Sequence, residues 1–443
     1  MSSHQGTRRA RLAGTVTLGL WVLAGAMGSV SAQVPFDSEP INYSSCTPDD
    51  AVARLQKRID DGSLRLEFEE GHGFLKSVLT ALEIPVASQM LVFSQTSFQH
   101  RLIHPWSPRA LYFNDDTYVG WVQRGDVIEV SSVDPKQGPM FYTLRQQKTE
   151  HPKFVRDGGN CMSCHAASRT RGIPGYVVRS VYPSPTGQPH YGAGTFRTDQ
   201  TSPLHERWGG WYVTGTHGSQ RHMGNVVATD EGNPELDVES GANVTDLTDR
   251  FRTAPYLSRH SDIVALMVLE HQADMHNFIT SAGYNARIAV HQGATMNRVF
   301  EEPPDHVSDS TKRRIASASD KLLNYLLFSG EAALTDRIEG TSSFAEGFAA
   351  RGRTDERGRS LRDFDLERRI FKYPCSYLIH SSAFRSLPDL VKEHVYRRLW
   401  EILTGRDKSD DFAHLSSADR QAIHEILRDT HDGIPDYWTS DER

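Results

Sequence analysis

The chain has 443 residues, 38% of them hydrophobic and 24% charged, and a formal net charge of −7. That length suits one large or two ordinary domains. The acidic balance, with no basic stripe, argues against nucleic acid as a partner.

Residues 1–32 read as a secretory signal. Arg8, Arg9 and Arg11 form a basic start, Leu12 to Ala26 is apolar, and Val30-Ser31-Ala32 is a small-residue cleavage site. The apolar run is short for a membrane span, and no cysteine sits at the cleavage site to carry a lipid. The expectation is a periplasmic or otherwise exported protein. Beyond the signal no long apolar run occurs, so no integral span is expected in the mature chain. Removing the signal takes away three positive charges and leaves the remainder more acidic.

A helix is expected from Pro48 to about Asp61-Gly62, capped by Thr47, and a second over His72 to Glu83. The pattern then turns to strands at Leu111–Phe113, Tyr118–Val122, Val127–Val133 and Met140–Leu144, parted by turn-forming residues. Further strands fit Tyr176–Tyr182, His190–Phe196 and Trp208–Thr214. The polar, glycine-bearing stretch Asp230–Asn243 reads as a linker. From Thr245 onward the pattern is helical. Ser261 opens a helix reaching about Ile279, and others fit Thr311–Phe328, Thr341–Ala350, Leu361–Phe371, Pro388–Leu403 and Ser417–Asp429. The expected class is therefore α+β: antiparallel strands around the central segment, then a mainly helical C-terminal half. The division is a mixed region over 33–240 and a helical region over 241–443.

Between the strands lies Cys161-Met162-Ser163-Cys164-His165. C-x-x-C-H is the attachment signature of a c-type haem. Two thiols three residues apart lie on one side of a helical turn and add to the haem vinyl groups. The histidine that follows binds the iron as proximal ligand. C-x-x-C alone also serves zinc and thioredoxin-like redox sites. Zinc would ask for a second pair, which the chain lacks, and the loop-like Arg156–Asn160 run before the motif is unlike the strand that precedes a redox motif. One covalent haem c is the expected cofactor, with Cys161, Cys164 and His165 as its site.

A sixth iron ligand is sought among Met223, His217 and His271. Met223 follows the motif by several tens of residues in a glycine-bearing, ligand-rich segment that also holds His217. A surface loop with solvent-facing histidines is the bland alternative for that segment. His271 lies on the apolar helix after Ser261, on one face with Met267 and Met275, and core packing with internal hydrogen bonds competes with ligation there. Arg207 is a candidate partner for a haem propionate, and Trp208 or Trp211 a candidate to stack near the ring. Cys46 and Cys375 are free to pair in an oxidising compartment or to stand as unrelated thiols.

The motif resembles that of c-type cytochromes. Arg207–Gly218, His222–Asn225 and Leu361–Ile379 resemble blocks that accompany a single C-x-x-C-H in large, uncharacterised bacterial cytochrome c-domain proteins. The resemblance implies haem binding, electron transfer and export. It leaves three functional classes: an exported mono-haem carrier serving an unidentified redox partner protein, a haem peroxidase- or oxygenase-like enzyme with His271 and Glu270, or His217, as distal acid/base, and a haem-bearing subunit or sensor that docks another protein.

Overall fold

Alternating β-branched and aromatic residues between positions 90 and 156 build an antiparallel meander, as period-2 burial requires. Its strands are β1 (Met90–Val92), β2 (Arg109–Phe113), β3 (Thr117–Trp121), β4 (Val127–Asp134), β5 (Gly138–Arg145) and β6 (Phe154–Arg156). The computed structural model describes residues 36–229 and 235–438. The expected signal and the first part of the expected linker lie outside them.

Beyond the meander come the single-turn helix α3 (Met162–His165) and the hairpin of β7 (Arg179–Val181) with β8 (Thr195–Arg197). A strand from the central loops, β9 (Trp211–Tyr212), pairs with β1 and completes a seven-stranded sheet ordered β6-β5-β4-β3-β2-β1-β9. Short β10 (Gly215–Thr216) pairs with β11 (Glu339–Gly340).

Each face of the sheet carries its own core. Cross-strand partners share a face, so Tyr112, Val119, Val130 and Tyr142 point one way. They pack with Val52 and Leu55 of α1 (Ala51–Asp60) and Val78 of α2 (Leu75–Ala81). The opposite face presents Phe113, Tyr118, Ser131 and Phe141 toward α4 (Ile263–Val299). The helical half, α5 (Asp309–Leu326), α6 (Phe344–Ala349), α7 (Ser382–Arg385), α8 (Asp389–Leu403) and α9 (Ser417–Thr430), extends that second core. The α+β class is as expected, and both cores draw residues from either side of position 240.

Several local expectations are corrected. Helix α1 begins at Ala51, because Asp50 rather than Thr47 caps it. Its Oδ1 accepts from the amides of Val52 and Ala53, while Oδ2 accepts from Tyr142 Oη at 2.5 Å, tying α1 to β5. Asp262, not Ser261, caps α4. Its second carboxylate oxygen takes the amides of Thr341 and Ser342, so it also secures β11. Ser261 instead bridges β1 and β9, accepting from Leu91 N and donating to Tyr212 O.

Helix α4 runs straight through Gly283 to Val299. A helical glycine costs about 1 kcal/mol, which packing against α5 along much of its length outweighs. Leu361–Phe371 is not helical. It folds back so that Phe364 bridges Phe371, and Leu366 takes a left-handed φ of 57°. Burying Phe371 contributes roughly 1.5–3 kcal/mol, more than the roughly 0.7 kcal/mol separating ordinary residues in helix propensity. The expected strand at Trp208–Thr214 shrinks to two residues, since Trp208 (φ 66°) and Gly210 (φ 87°) turn the chain. Cys46 and Cys375 are not paired: Cys375 is fully buried, and Cys46 donates to Tyr43 O.

Candidate functional site

The loop 157–160 joins β6 to the motif, and Arg156, expected in that loop, is the last residue of the strand. Asp157 continues that strand's pairing through its amide to Phe141 O, and its carboxylate accepts from the amides of Gly159 and Cys161. This turns the chain into α3, where the amides of Cys164 and His165 both return to Cys161 O. Cys161 and Cys164 therefore stand on one turn, the first half-buried and the second exposed.

His165 is fixed by two contacts. Its ring lies 4.7 Å from that of Phe141 in β5. Its Nδ1 is 2.8 Å from Gly175 O. A carbonyl can only accept, so Nδ1 carries the proton and the Nε2 lone pair is free in the neutral ring. No hydrogen bond engages Nε2 among the described residues. Burial pushes the His165 pKa below the ordinary value, opposed by the Gly175 carbonyl.

The sheet beside His165 is only partly covered. The row Leu111, Gly120, Glu129, Thr143 and Val155 lies on the same face as Phe141. Thr143 is half-buried and Val155 is 54% exposed. Gly120 leaves room for the Arg109 guanidinium, which a Cβ there would meet at 2.2 Å. Arg109 pairs with Glu129 at 2.5 Å, and both charges act on Cys161 and His165.

The rival readings of C-x-x-C fare poorly against this geometry. Burial, reinforced by Asp157 and Glu129, pushes the Cys161 thiol up to about 12. A redox-active thiol needs the opposite shift. Among the described residues no group of three or more His, Cys, Asp or Glu is placed to hold a bare metal ion. Two thiols on one turn and a single imidazole with a free Nε2 suit a macrocycle that brings its own four nitrogen ligands.

The three candidate sixth ligands differ in what their ligating atoms already bind. His217 has both ring nitrogens engaged, Nδ1 with Gln220 O and Nε2 with the Asn243 amide. His271 is likewise occupied, by Gln200 Oε1 at 2.5 Å and Ser376 Oγ at 2.8 Å, and its ring stacks on Phe328. Both rings are held by internal hydrogen bonds on each nitrogen. Met223 is buried with its sulfur 3.5 Å from Ser180 Oγ. A thioether keeps a second lone pair, so Met223 alone of the three retains ligating capacity.

Arg207 does not wait for a propionate. It is buried and bonded to Glu270 at 3.0 Å and to the carbonyls of Ser202 and Gln200. Glu270 is engaged through Oε2 alone; its Oε1 is buried without a hydrogen-bond partner among the described residues, and desolvation pushes its carboxyl up to about 7. Trp208 is fully buried against His222, and Trp211 donates to Arg179 O.

His271 supports a pH prediction. Desolvation pushes its pKa down to about 3, against 6.5 in the unfolded chain. Below pH 6.5 unfolding therefore takes up a proton at this site, and stability falls as the pH drops toward the folded value. His271→Gln removes that uptake. Urea unfolding between those two pKa values should show a stability slope flatter by about 1.4 kcal/mol per pH unit. An unchanged slope would show that His271 does not enter the folded state neutral.

Sequence reasoning singled out Cys161, Cys164 and His165 but not Phe141, Gly175 and Asp157, which contact them. Only Asp157 carried a local hint, as a turn residue before the motif. Comparison of the chain with known protein families, with curated proteins and with solved structures finds no match.

Proposed function

We propose that Cys161, Cys164 and His165 carry one covalent c-type haem and that the protein is an exported electron-transfer cytochrome. The observation that carries this reading is the committed tautomer of His165. Its Nδ1 proton is given to Gly175 O and its Nε2 is left as a donor, the arrangement that orients a metal-bound imidazole. Two thiols on the same short turn supply the attachment.

The haem would supply one-electron chemistry. Cys161 and Cys164 would hold it through sulfur and His165 would supply the imidazole, with the partly covered sheet row of Thr143 and Val155 on the same face as Phe141. Internal hydrogen bonds on both ring nitrogens of His217 and His271 favour the carrier over a peroxidase-like site built on those histidines. Carrier function is the reading retained, with an unidentified redox protein as partner.

Spectroscopy of the purified exported protein tests it. The expected result is a low-spin ferric spectrum, indifferent to peroxide and carbon monoxide, with one reversible electron per chain. A high-spin spectrum that changes on adding peroxide would overturn the carrier assignment.

A further inference from the structure

We propose that Asn277 of α4 is a positioning residue for His165, so that the helical half of the molecule tunes the donor strength of the iron's proximal ligand; this rests on the haem reading above. Asn277 is fully buried. Its Oδ1 accepts from Tyr176 N at 2.8 Å, and its Nδ2 donates to Tyr176 O at 2.8 Å and to Asp274 Oδ1 at 3.0 Å. The amide orientation is dictated, because a backbone N–H can only meet the carbonyl oxygen.

The Tyr176 N–H and the Gly175 C=O belong to one planar peptide unit and point in opposite directions. Asn277 grips one end of that unit. His165 Nδ1–H binds the other. Holding the N–H therefore aims the carbonyl at His165, and a bond accepted at one end of a peptide strengthens the acceptor at the other. The Gly175 amide returns to His165 O at 2.8 Å, which closes the loop on the histidine's own backbone.

Two further features show that the approach is built. A Cβ at Gly175 would lie 2.4 Å from Asn277 Oδ1, so only glycine lets the peptide come this close. Asp274 is buried and also accepts from Arg171, which lies between the motif and Gly175, and from Arg197 of β8. These contacts hold the Asn277 amide in register with the segment it grips.

A stronger Nδ1–H···O=C bond gives the ring more imidazolate character, makes Nε2 a better donor and favours ferric iron. Asn277→Ala should therefore shift the reduction potential upward. The His165 Nδ1 proton, followed by NMR in the haem-loaded protein, should exchange faster. Asn277→Asp keeps the acceptor for Tyr176 N–H and should stay closer to the wild-type exchange rate. Asn285→Ala, elsewhere on α4, should leave both readouts unchanged. Gly175→Ala displaces Asn277 Oδ1 from the opposite side and should move both readouts the same way, which serves if Asn277→Ala does not accumulate.

Covalent haem at wild-type content with potential and exchange unmoved in Asn277→Ala or Gly175→Ala would overturn the inference and leave the haem reading standing. A wild-type protein without covalent haem would overturn both.

Discussion

Produced by an exporting host that attaches c-type haem, the Cys161→Ala/Cys164→Ala double variant should release all its haem to acid–acetone. Wild-type protein should release none. The reason is covalent attachment. Two thioethers tie the macrocycle to one helical turn, and the His165 iron bond alone does not survive denaturation in acid. Each single variant should keep its haem through the remaining sulfur, with a haemochrome band intermediate between free and doubly attached haem. The two positions are unequal. Cys161 is half-buried and Cys164 is exposed, so Cys161→Ala should reduce haem-loaded yield more, because it also opens a gap against the second core. Haem that stays bound in the double variant would place the attachment elsewhere.

The second large effect is expected at His165. His165→Ala removes the imidazole whose tautomer is set by Gly175. Changes to a ligand's supporting shell cost roughly 10–100-fold in metal affinity, and losing the ligand itself should cost no less. Haem-loaded protein should fall at least about tenfold. The residue that forms should be high-spin, with a potential moved by a sizeable part of the roughly 0.8 V that axial ligation commands. Added imidazole should restore the low-spin spectrum, because it would take the place beside Phe141 that the His165 ring leaves. An unaltered spectrum in His165→Ala would remove His165 from the iron.

How much of this was legible in the sequence depends on the range of the interaction. The meander from β2 to β5 follows from local alternation and turn residues, and its registers are short-range. The C-x-x-C-H turn is local too. The fold of Leu361–Phe371 is not: its charged, helix-compatible composition is overruled by Phe348, Phe364, Phe371 and Tyr377 packing together. The extent of α4 was hidden for a related reason, since Gly283 looks like a stop until α5 lies beside it.

The site divides in the same way. Cys161, Cys164 and His165 announce themselves because their chemistry needs fixed spacing. Gly175 and Asn277 do not, because a hundred residues separate Asn277 from the peptide it grips. His271 and His217 looked like ligands because histidine on an apolar helix or beside glycine invites that reading. The structure satisfies them internally, as buried polar groups require. Arg207 follows the same rule, answered by Glu270 across 63 positions.

The most direct test of the central claim is mass spectrometry of the tryptic peptide covering residues 157–169 from protein exported with haem-attachment machinery. The account predicts that this peptide carries one haem and that neither Cys161 nor Cys164 reacts with a thiol reagent. Recovery of the peptide without haem, with both cysteines alkylated, would contradict it.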